Sequence, residues 1–540
     1  MTYYELKRAL SLPEWSPSAG LSEQWTGRLA LEGAPPLRDK QAECLEALAQ
    51  AHPMCGGLFG LDVGAGKTLL GMLAPKVLGC EGRALLLTMP SLVEQTSAHN
   101  AEWSERYYPC VPPEVVSYTT LSGRKGQGQL ERIRPRLIIC DEAHTLGNMQ
   151  SARTKRFLRF AHMTFREGEE PCRFVFMSGS FLKRSIHEIA HLAALALVAG
   201  SPLPVGGREI YDWAPVLDLD GEPTPQQLLG MRPLVTWAGE AARNQQAYRR
   251  AFRRRVLSTP GVVWSSDGSC DQPLEMSAWQ VERTPKTEAA LKQLGEAWEL
   301  PDGTPLVSGS EVYRHAHTLP YGFYLAWDWD AVGGLDEEWD EARRAWAREV
   351  RAYLTYSDNP LIDSESYVLE AAEKRTLPSR MLRAWDAWCA VSDRPRPPTT
   401  TRVHDIAQLG KLVAGVKQLP DDTLVWTSTP QMAEFLPLPY HGAGSRPPEG
   451  GKALVSSAVH GTGWNGQHYH RSLVLQPESG AGWWQQLLGR THRGGQTRPV
   501  QCFVSFQSYF QRNNWRKAKE AAGKRTDLLG QSAKILATTL

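Results

Sequence analysis

Residues 56–73 of the chain read GGLFGLDVGAGKTLLGML, an apolar run followed by a glycine-rich turn and then by a helical apolar pattern. Backbone N–H groups of such a turn, together with the N-terminus of the following helix, can hold phosphate groups. A lysine at the start of the helix reaches the terminal phosphates, and a Ser or Thr hydroxyl group ligates magnesium. The residues at these places are Gly64, Ala65, Gly66, Lys67 and Thr68. The stretch therefore predicts a strand, a phosphate-binding loop and a helix.

The loop departs at one position from the usual phosphate-loop pattern, GxxxxGK[ST]. The pattern requires glycine at position 61, where this chain has Leu61, with Gly60 one place earlier. Similar strings arise by chance in glycine-rich chains, so an ordinary helix-capping turn is the alternative for this motif alone. The sequence that follows favours phosphate binding.

Two carboxylates follow an apolar run later in the chain. Residues 134–148 read RPRLIICDEAHTLGN, and residues 137–140 have the continuous apolar character of a strand buried on both faces of a parallel sheet. Asp141 and Glu142 come at the carboxyl end of this strand, where ligands bind in open α/β sheets. We expect Asp141 to hold magnesium, directly or through water, and Glu142 to orient and deprotonate an attacking water. A solvated acidic turn is the alternative for an isolated DEAH string.

Two more segments have the same form. Residues 84–90 (ALLLTMP) and 174–180 (FVFMSGS) each read as a buried strand that ends in a turn. Taken in order, LRDKQ, GAGKT, TMPSLVEQT, DEAH and SGS resemble motifs Q, I, Ia, II and III of superfamily 2 helicases.

This resemblance implies a RecA-like α/β domain over residues 37–200, with residues 1–36 as an N-terminal segment. It implies that Gln41 lies near the adenine of ATP. It also implies that Ser178 and Ser180 link hydrolysis to nucleic-acid contact, and that Pro90 contacts nucleic acid.

The alternation of strands and helices returns after residue 400. TLVWTSTP (423–430), KALVSSAVHGTGWN (452–465) and RSLVLQPES (471–479) each read as an apolar strand that runs into a polar turn. We therefore predict a second parallel-sheet domain over residues 401–510. It contains neither a phosphate loop nor a carboxylate pair, so it cannot hydrolyse a nucleotide alone.

The stretch QQLLGRTHRGGQ, residues 485–496, places two arginines three residues apart with little to bury around them. A solvated basic loop is one interpretation. The spacing also matches the superfamily 2 pattern QxxGRxxR at Gln486, Arg490 and Arg493. The resemblance implies that Arg493 lies closest to the γ-phosphate, with Arg490 supporting it. Arginines placed there stabilise charge that builds on the transferring phosphoryl group, worth about 10³ to 10⁵ in rate.

Two weaker matches complete the set. Gly463 and Thr462 in HGTGWN resemble motif V, which in the family contacts the nucleic-acid backbone and senses the γ-phosphate, and Thr427 lies in the loosest match, to motif IV. The ending GRTHRGGQ resembles Swi/Snf-type translocases more than DEAH-box RNA helicases. The compact layout is similar to that of Swi/Snf-like helicases carried by bacteriophages.

The intervening residues 201–400 match no motif, and we predict that they are largely helical. Five arginines between positions 249 and 255 fit either a phosphate grip or a solvated helix face. Tryptophans of this region include Trp339, part of an apolar helix face that starts after Asp336, and we expect helical core rather than base stacking. Residues 511–540 are basic, and we expect a helix or tail packed on the second lobe.

Composition excludes several classes. The 540 residues carry 60 Lys plus Arg and 58 Asp plus Glu, a net charge of +2, so any basic surface must be local. The nine cysteines contain no CxxC pair, and we expect reduced thiols rather than zinc ligands or disulfides. Residues 189–200 form the longest apolar stretch, shorter than the ~20 residues that span a bilayer. We expect a cytoplasmic protein without a membrane segment, in the host cytoplasm if the chain is encoded by a phage.

The sequence thus predicts an ATP- and Mg²⁺-dependent motor with two RecA-like lobes, acting on nucleic acid, with DNA favoured over RNA. Three hypotheses stay open: a helicase that separates strands, a duplex translocase that does not, and an ATP-driven assembly switch or loader whose client is a protein. Replication or repair proteins are candidate partners. No oligomeric state is indicated, and a monomer is compatible with the sequence.

Overall fold

The computed structural model describes residues 3–540 with several gaps. The gaps are residues 53, 108–110, 123–127, 167–170, 183–184, 219, 243, 266–269, 305, 307–308, 357–364, 396, 462, 532 and 539. The chain divides into two compact units. Unit 1 consists of Met1–Asp271, Trp484–Gly489 and Lys519–Ala537, and unit 2 consists of Gln272–Trp483, Arg490–Ala518 and Thr538–Leu540.

Unit 1 is built on a six-stranded parallel sheet in the order β3-β2-β4-β5-β1-β6. Its strands are β1 (Gly57–Gly60), β2 (Ala84–Thr88), β3 (Glu114–Ser117), β4 (Leu137–Asp141), β5 (Arg173–Ser178) and β6 (Val262–Trp264). Alternate residues of each central strand pack into two different apolar clusters, one on each face of the sheet. In β4, for example, Ile138 belongs to one cluster and Ile139 to the other. Burial on both faces explains the continuous apolar runs in the sequence.

Helices connect these strands and cover the sheet. They are α1 (Tyr4–Ser11), α2 (Leu21–Leu29), α3 (Asp39–Ala49), α4 (Lys67–Val77), α5 (Val93–Arg106), α6 (Tyr118–Ser122), α7 (Gln129–Ile133), α8 (Ala152–Arg166), α9 (His187–Leu197), α10 (Ile210–Leu217), α11 (Pro225–Trp237) and α12 (Gln245–Leu257). Because parallel neighbours need a crossover connection, the helices alternate with the central strands.

Unit 2 contains a second six-stranded parallel sheet, in the order β11-β12-β10-β13-β14-β7, and a two-stranded antiparallel sheet of β8 and β9. The strands are β7 (Leu274–Trp279), β8 (Phe323–Trp327), β9 (Thr399–Val403), β10 (Thr423–Thr427), β11 (Tyr440–His441), β12 (Ala453–Ser456), β13 (Arg471–Val474) and β14 (Val500–Ser505). The expected α/β class with two parallel sheets is therefore confirmed.

The remaining helices follow β7 in the chain. They are α13 (Pro285–Glu296), α14 (Gly309–Ala316), α15 (Glu337–Tyr356), α16 (Glu365–Glu373), α17 (Ser379–Val391), α18 (Ile406–Lys417), α19 (Ser457–His460), α20 (Ala481–Thr491) and α21 (Tyr509–Leu529). None of the described helices combines the length and the apolar character needed to cross a lipid bilayer. The eight described cysteines are free thiols.

The intervening region is largely helical, but it also supplies strands that the sequence did not predict. Residues 262–264 form the edge strand β6 of the first sheet, and residues 274–279 form the edge strand β7 of the second. The predicted tryptophan-bearing helix is α15. The backbone N–H of Trp339 donates to Asp336 Oδ1 at 3.0 Å, and Trp339 is buried, which confirms both the start of the helix and its apolar face.

The arginine-rich helix α12 is tied down by contacts within unit 1. Arg255 is buried and donates to three backbone carbonyl groups, while its guanidinium group lies over the Trp237 ring. Arg249 is also buried and donates to two carbonyl groups, and Arg250 pairs with Glu240 at 2.8 Å. Most of this positive charge therefore serves the packing of α12, which neither of the two interpretations of the arginine run anticipated.

The basic C-terminal segment forms the expected helix, α21. The expectation that it packs on the second lobe is wrong for its final part, because Lys519–Ala537 belong to unit 1. Leu528 and Leu529 are fully buried in the apolar cluster of unit 1 that also contains Phe252. The sequence shows two adjacent leucines near the end of a basic helix, but it does not indicate which of the two cores they enter.

Candidate active site

The loop between β1 and α4 has the backbone geometry of an anion-binding turn. Gly64 and Gly66 adopt φ angles of +87° and +83°, which glycine reaches at little cost and other residues rarely adopt. Gly66 precedes the first residue of α4 as its N-cap. A Cβ atom at Gly66 would lie 2.1 Å from Gln41 Nε2, so a side chain there would displace Gln41 from the turn. The N-terminus of α4 thus begins at an open, glycine-lined turn.

The structure explains why glycine stands at position 60 rather than 61. Gly60 ends β1 beneath the ring of Trp264, and a Cβ atom there would lie 2.4 Å from the ring. Leu61 is fully buried and belongs to an apolar cluster of unit 1. The departure from the motif is therefore a packing feature at the end of β1, and it leaves the turn from Gly64 to Lys67 unchanged.

The first turn of α3 is fastened to this loop. Gln41 Oε1 accepts a hydrogen bond from the backbone N–H of Arg38 at 2.9 Å, and Gln41 Nε2 donates to the carbonyl oxygen of Gly66 at 3.4 Å. Arg38 Nη1 donates to the carbonyl oxygen of Gly64 at 2.7 Å. Gln41 therefore lies against the glycine turn, and its expected place near the adenine of ATP stays a prediction.

Lys67 connects the loop to the end of β4. Its side chain is buried, and Nζ donates to the carbonyl oxygens of Leu61 and Asp62 at 3.2 and 3.3 Å. The same Nζ atom lies 3.5 Å from Glu142 Oε1. Thr68 follows in the first turn of α4 and is half-buried. The lysine is thus held over the glycine turn, beside a carboxylate of the DEAH segment.

The two predicted carboxylates differ in their surroundings. Asp141 is buried, and the pKa of its carboxyl group is raised to about 6, first by burial and then by the charge of Glu142. Its Oδ1 accepts a hydrogen bond from the backbone N–H of Glu142 at 3.1 Å. Glu142 has a left-handed backbone with φ of +54°, a conformation that costs a non-glycine residue about 1–3 kcal/mol. Such strain and desolvation are typical of functional sites.

His144 connects the carboxylate of Glu142 to the end of β5. Its Nδ1 lies 3.3 Å from Glu142 Oε2 and 3.0 Å from Ser178 Oγ. The backbone N–H of Ser180 in turn donates to Ser178 Oγ at 3.0 Å. Both serines are buried, so neither hydroxyl group is open to a polymer in this structure. Pro90, by contrast, is exposed at the start of a short 3₁₀ helix after β2.

The strand ends of unit 2 carry neutral polar groups. Thr427 Oγ1 donates to Gln476 Oε1 at 3.1 Å, and the backbone N–H of Ser428 donates to the same oxygen at 3.1 Å. Thr427 is buried. Gly463 adopts a φ of +81°, whereas Thr462 lies outside the described residues. Gly463 therefore lies in a turn, and the contact predicted for Thr462 stays a prediction.

The arginines of the QxxGRxxR segment lie at the end of α20 and just beyond it. Arg490 is buried, and its Nη1 donates to the carbonyl oxygen of Trp464 at 2.9 Å in unit 2. Arg493 is half-buried in the turn after α20. Gln486 is half-buried as well, and its neighbour Gln485 is fully buried.

The sequence did not predict Gln485 or Asp62 as site residues. Gln485 Nε2 donates to Asp62 Oδ1 at 2.8 Å within unit 1, so it contacts the glycine loop directly. The motif pattern drew attention to Gln486, and only the burial of one face of α20 distinguishes the two glutamines. Asp62 is the acidic residue of the loop, and its position before the glycines was the available signal.

Oxygen donors at the end of β4 and at the start of α4 could hold magnesium. The described part of the chain contains no group of three or more His, Cys, Asp or Glu side chains that could hold a metal ion. Mg²⁺ is commonly bound by one or two carboxylates together with substrate phosphates. Asp141 and the hydroxyl group of Thr68 are the oxygen ligands available beside Lys67.

Comparison with known proteins adds no assignment. No protein-family model matches the chain, and no curated protein matches it.

Proposed function

We propose that the chain is a Mg²⁺-dependent ATP hydrolase of the superfamily 2 type, a helicase or translocase that moves along DNA. The observation that carries the proposal is the position of Lys67, whose Nζ lies over the glycine turn and 3.5 Å from Glu142 Oε1. A phosphate-binding lysine and a general base meet at the carboxyl ends of parallel strands, where α/β proteins bind ligands.

The loop of unit 1 is suited to the phosphates of ATP. The N-terminus of α4 begins directly after Gly66, and the positive end of the helix favours anions there. Lys67 gives up its contacts with the carbonyl oxygens of Leu61 and Asp62 to bind a phosphate. Gln41 reads the adenine in this proposal, since it already lies against Gly66.

Glu142 performs the proton transfer. Its carboxylate is held between Lys67 and His144, which orient it. Glu142 accepts a proton from the water that attacks the γ-phosphorus. His144 contacts both Glu142 and Ser178, and it thereby links this proton transfer to the end of β5. Thr68 and Asp141 would hold Mg²⁺, which neutralises charge on the phosphate oxygens.

Arg490 and Arg493 supply the positive charge that the transferring phosphoryl group requires. Their role rests on the spacing QxxGRxxR. Arg493 is the residue that neutralises charge in the transition state, and Arg490 supports it. A cycle of binding and hydrolysis then drives movement along DNA.

The test is steady-state ATP hydrolysis by the full chain with no nucleic acid, single-stranded DNA, duplex DNA or RNA. The variant Glu142→Gln serves as the blank. We expect strong stimulation by DNA, with a duplex preference favouring a translocase and a single-strand preference favouring a helicase.

Two results would contradict the proposal. Hydrolysis at the same rate under all four conditions would contradict movement along nucleic acid and would favour a protein client. Hydrolysis that persists in Glu142→Gln at the wild-type rate would remove Glu142 from the reaction.

A further inference from the structure

A buried carboxylate in the glycine loop is held by residues from the last part of the chain. Asp62 is 3% exposed, and its Oδ1 accepts the hydrogen bond from Gln485 Nε2 at 2.8 Å. Gln485 Oε1 accepts in turn from the backbone N–H of Lys534 at 2.9 Å. All three residues belong to unit 1. A continuous chain of buried hydrogen bonds thus runs from the loop to the C-terminal segment Lys519–Ala537.

Two cations of the same segment surround Asp62. Burial raises the pKa of the Asp62 carboxyl group, and the charge of Lys534 opposes this most strongly, ahead of Lys67 and Arg525. Lys534 is 6% exposed and Arg525 is 1% exposed. Removing such charges from water is costly, so their placement beside one loop carboxylate calls for a compensating role.

Arg525 is an unusual group for a protein interior. Within the described part of the chain, none of its three guanidinium nitrogens has a hydrogen-bond partner, and Asp62 Oδ2 has none either. Burial lowers the pKa of Arg525 to about 10, and the charge of Asp62 opposes this shift. Stability alone would favour an apolar side chain at this position. A buried charge that costs stability is more often retained for function.

The C-terminal segment is firmly attached to unit 1. Leu528 and Leu529 are buried in its core, and Lys524 Nζ pairs with Asp220 at 2.9 Å. The helix ends at Leu529, and Gly530 follows it with a φ of +73°, a backbone conformation that favours glycine. The cations of the segment are therefore placed beside the loop by packing.

Asp62 also contacts the phosphate-binding groups through its backbone. Its carbonyl oxygen accepts from Lys67 Nζ at 3.3 Å and from the backbone N–H of Ala65 at 3.2 Å. A shift of Asp62 therefore moves the start of the glycine turn and alters the contact that Lys67 must release to bind a phosphate.

We propose that the segment Lys519–Ala537 sets the nucleotide affinity of unit 1, with Lys534, Arg525 and Gln485 acting through Asp62 as positioning residues. This inference rests on the proposed nucleotide site. It gives the C-terminal segment a regulatory function, because any partner that displaces the segment changes the loop.

The test is equilibrium binding of a fluorescent ATP analogue to the full chain and to Lys534→Met. This change removes the charge but keeps the backbone N–H that Gln485 accepts. We expect binding at least about tenfold weaker, within the range of 5- to 150-fold typical of coupled sites. The value of kcat at saturating ATP should change less than twofold. Lys534→Arg should restore most of the affinity.

Lys524→Met is the matched control, because Lys524 lies in the same segment but pairs with the exposed Asp220. Its affinity should equal that of the wild type. A double-mutant cycle with Asp62→Asn should show that the effects of Lys534→Met and Asp62→Asn on affinity are not additive. Additive effects would show that Lys534 does not act through Asp62.

Arg525→Met tests the proposal if Lys534→Met does not fold. Replacing a buried guanidinium group by an apolar side chain of similar length should leave the melting temperature unchanged or raised. Affinity should nevertheless fall several-fold. Unchanged affinity in the folded variants, with normal binding by the wild type, would overturn the inference. If the wild type binds no nucleotide, the proposed function fails instead.

Discussion

The two parallel sheets are alike in architecture and different at their strand ends. In each sheet the third strand in spatial order is followed by the residues of interest: β4 by Asp141 and Glu142, and β10 by Thr427 and Ser428. The adjacent strand contributes a partner to each, so that His144 of the first site bonds Ser178, whereas Thr427 bonds Gln476. The same framework therefore carries charged groups in one unit and neutral groups in the other.

This difference between the strand ends suggests a functional role for the first site and a structural role for the second. The first site keeps a carboxyl group with a raised pKa and a glutamate with a left-handed backbone. Both features cost free energy and are typical of sites that act on a ligand. At the second site a neutral amide oxygen, Oε1 of Gln476, accepts hydrogen bonds from Thr427 and Ser428. Four predictions, from the largest effect to the smallest, can break or sharpen this comparison.

The largest effect concerns the charge that unit 2 supplies. Because the second sheet has no carboxylate pair, its contribution to catalysis should be positive charge from Arg493. Arg493→Ala should lower kcat by about 10³- to 10⁵-fold. Affinity for ATP, measured by equilibrium binding, should fall far less than it does in Lys67→Ala. Arg498→Ala, which removes an exposed arginine five residues further on, should retain normal turnover, and equal losses of affinity in Arg493→Ala and Lys67→Ala would contradict the assignment.

The general base should have the next largest effect. Glu142→Gln keeps the size of the side chain and removes its ability to accept a proton, so kcat should fall by about 10²- to 10⁴-fold. Binding of ATP should persist. Single-turnover hydrolysis measures the change, with the exposed Glu114→Gln as control. Turnover at the wild-type rate in Glu142→Gln would show that the strained backbone at this position serves another purpose.

The second site should respond in stability alone. Gln476→Ala leaves the Ser428 N–H without its acceptor in a buried place, which should lower the free energy of unfolding by about 1–3 kcal/mol. Denaturant unfolding measures this loss, and Gln418→Ala at an exposed helix end is the control. The affinity of the chain for ATP should not change. A large loss of affinity for ATP would contradict the assignment of a functional role to the first sheet and a structural role to the second.

The smallest effect is an acid sensitivity of unit 2. Burial lowers the pKa of His315 and of His317 to about 4, below the usual value of about 6.5. The unfolded chain therefore binds more protons between these values, so stability present above pH 6.5 is lost as the pH falls toward 4. At pH 5 the loss should be about 1–2 kcal/mol for each histidine.

Thermal unfolding at pH 7.5 and pH 5 measures this sensitivity. His317→Gln should reduce the difference between the two melting temperatures of unit 2, and the exposed His52→Gln of unit 1 should leave it unchanged. An equal pH response in all three proteins would assign the acid sensitivity to other groups.

Much of the fold could be predicted because the buried strands have a recognisable sequence pattern. The runs at residues 84–88 and 137–141 are apolar at every position but the last, as expected for strands covered on both faces. The edge strands β6 and β7 could not be predicted, because β6 has only three residues and the six residues of β7 have mixed exposure, so neither carries a clear periodic signal. Their place in the two sheets is fixed by tertiary packing.

The candidate site shows the same limit. Short-range motifs predicted Gly66, Lys67 and Asp141, whose contacts lie near one another along the chain or at adjacent strand ends. The contact of Asp62 with Gln485 joins residues separated by 423 positions, and no local pattern encodes such a pairing. The arginine run of α12 shows the converse, since a local charge pattern indicated a surface where the structure has packing contacts.

The most direct test of the central claim is the stoichiometry of ATP binding, measured by calorimetry on the wild type and on Lys67→Ala. If unit 1 is the nucleotide site and unit 2 is not, the wild type will bind one ATP per chain in the presence of Mg²⁺, and Lys67→Ala will bind it at least tenfold more weakly. Wild-type affinity in Lys67→Ala, or two equivalent sites per chain, would contradict the account.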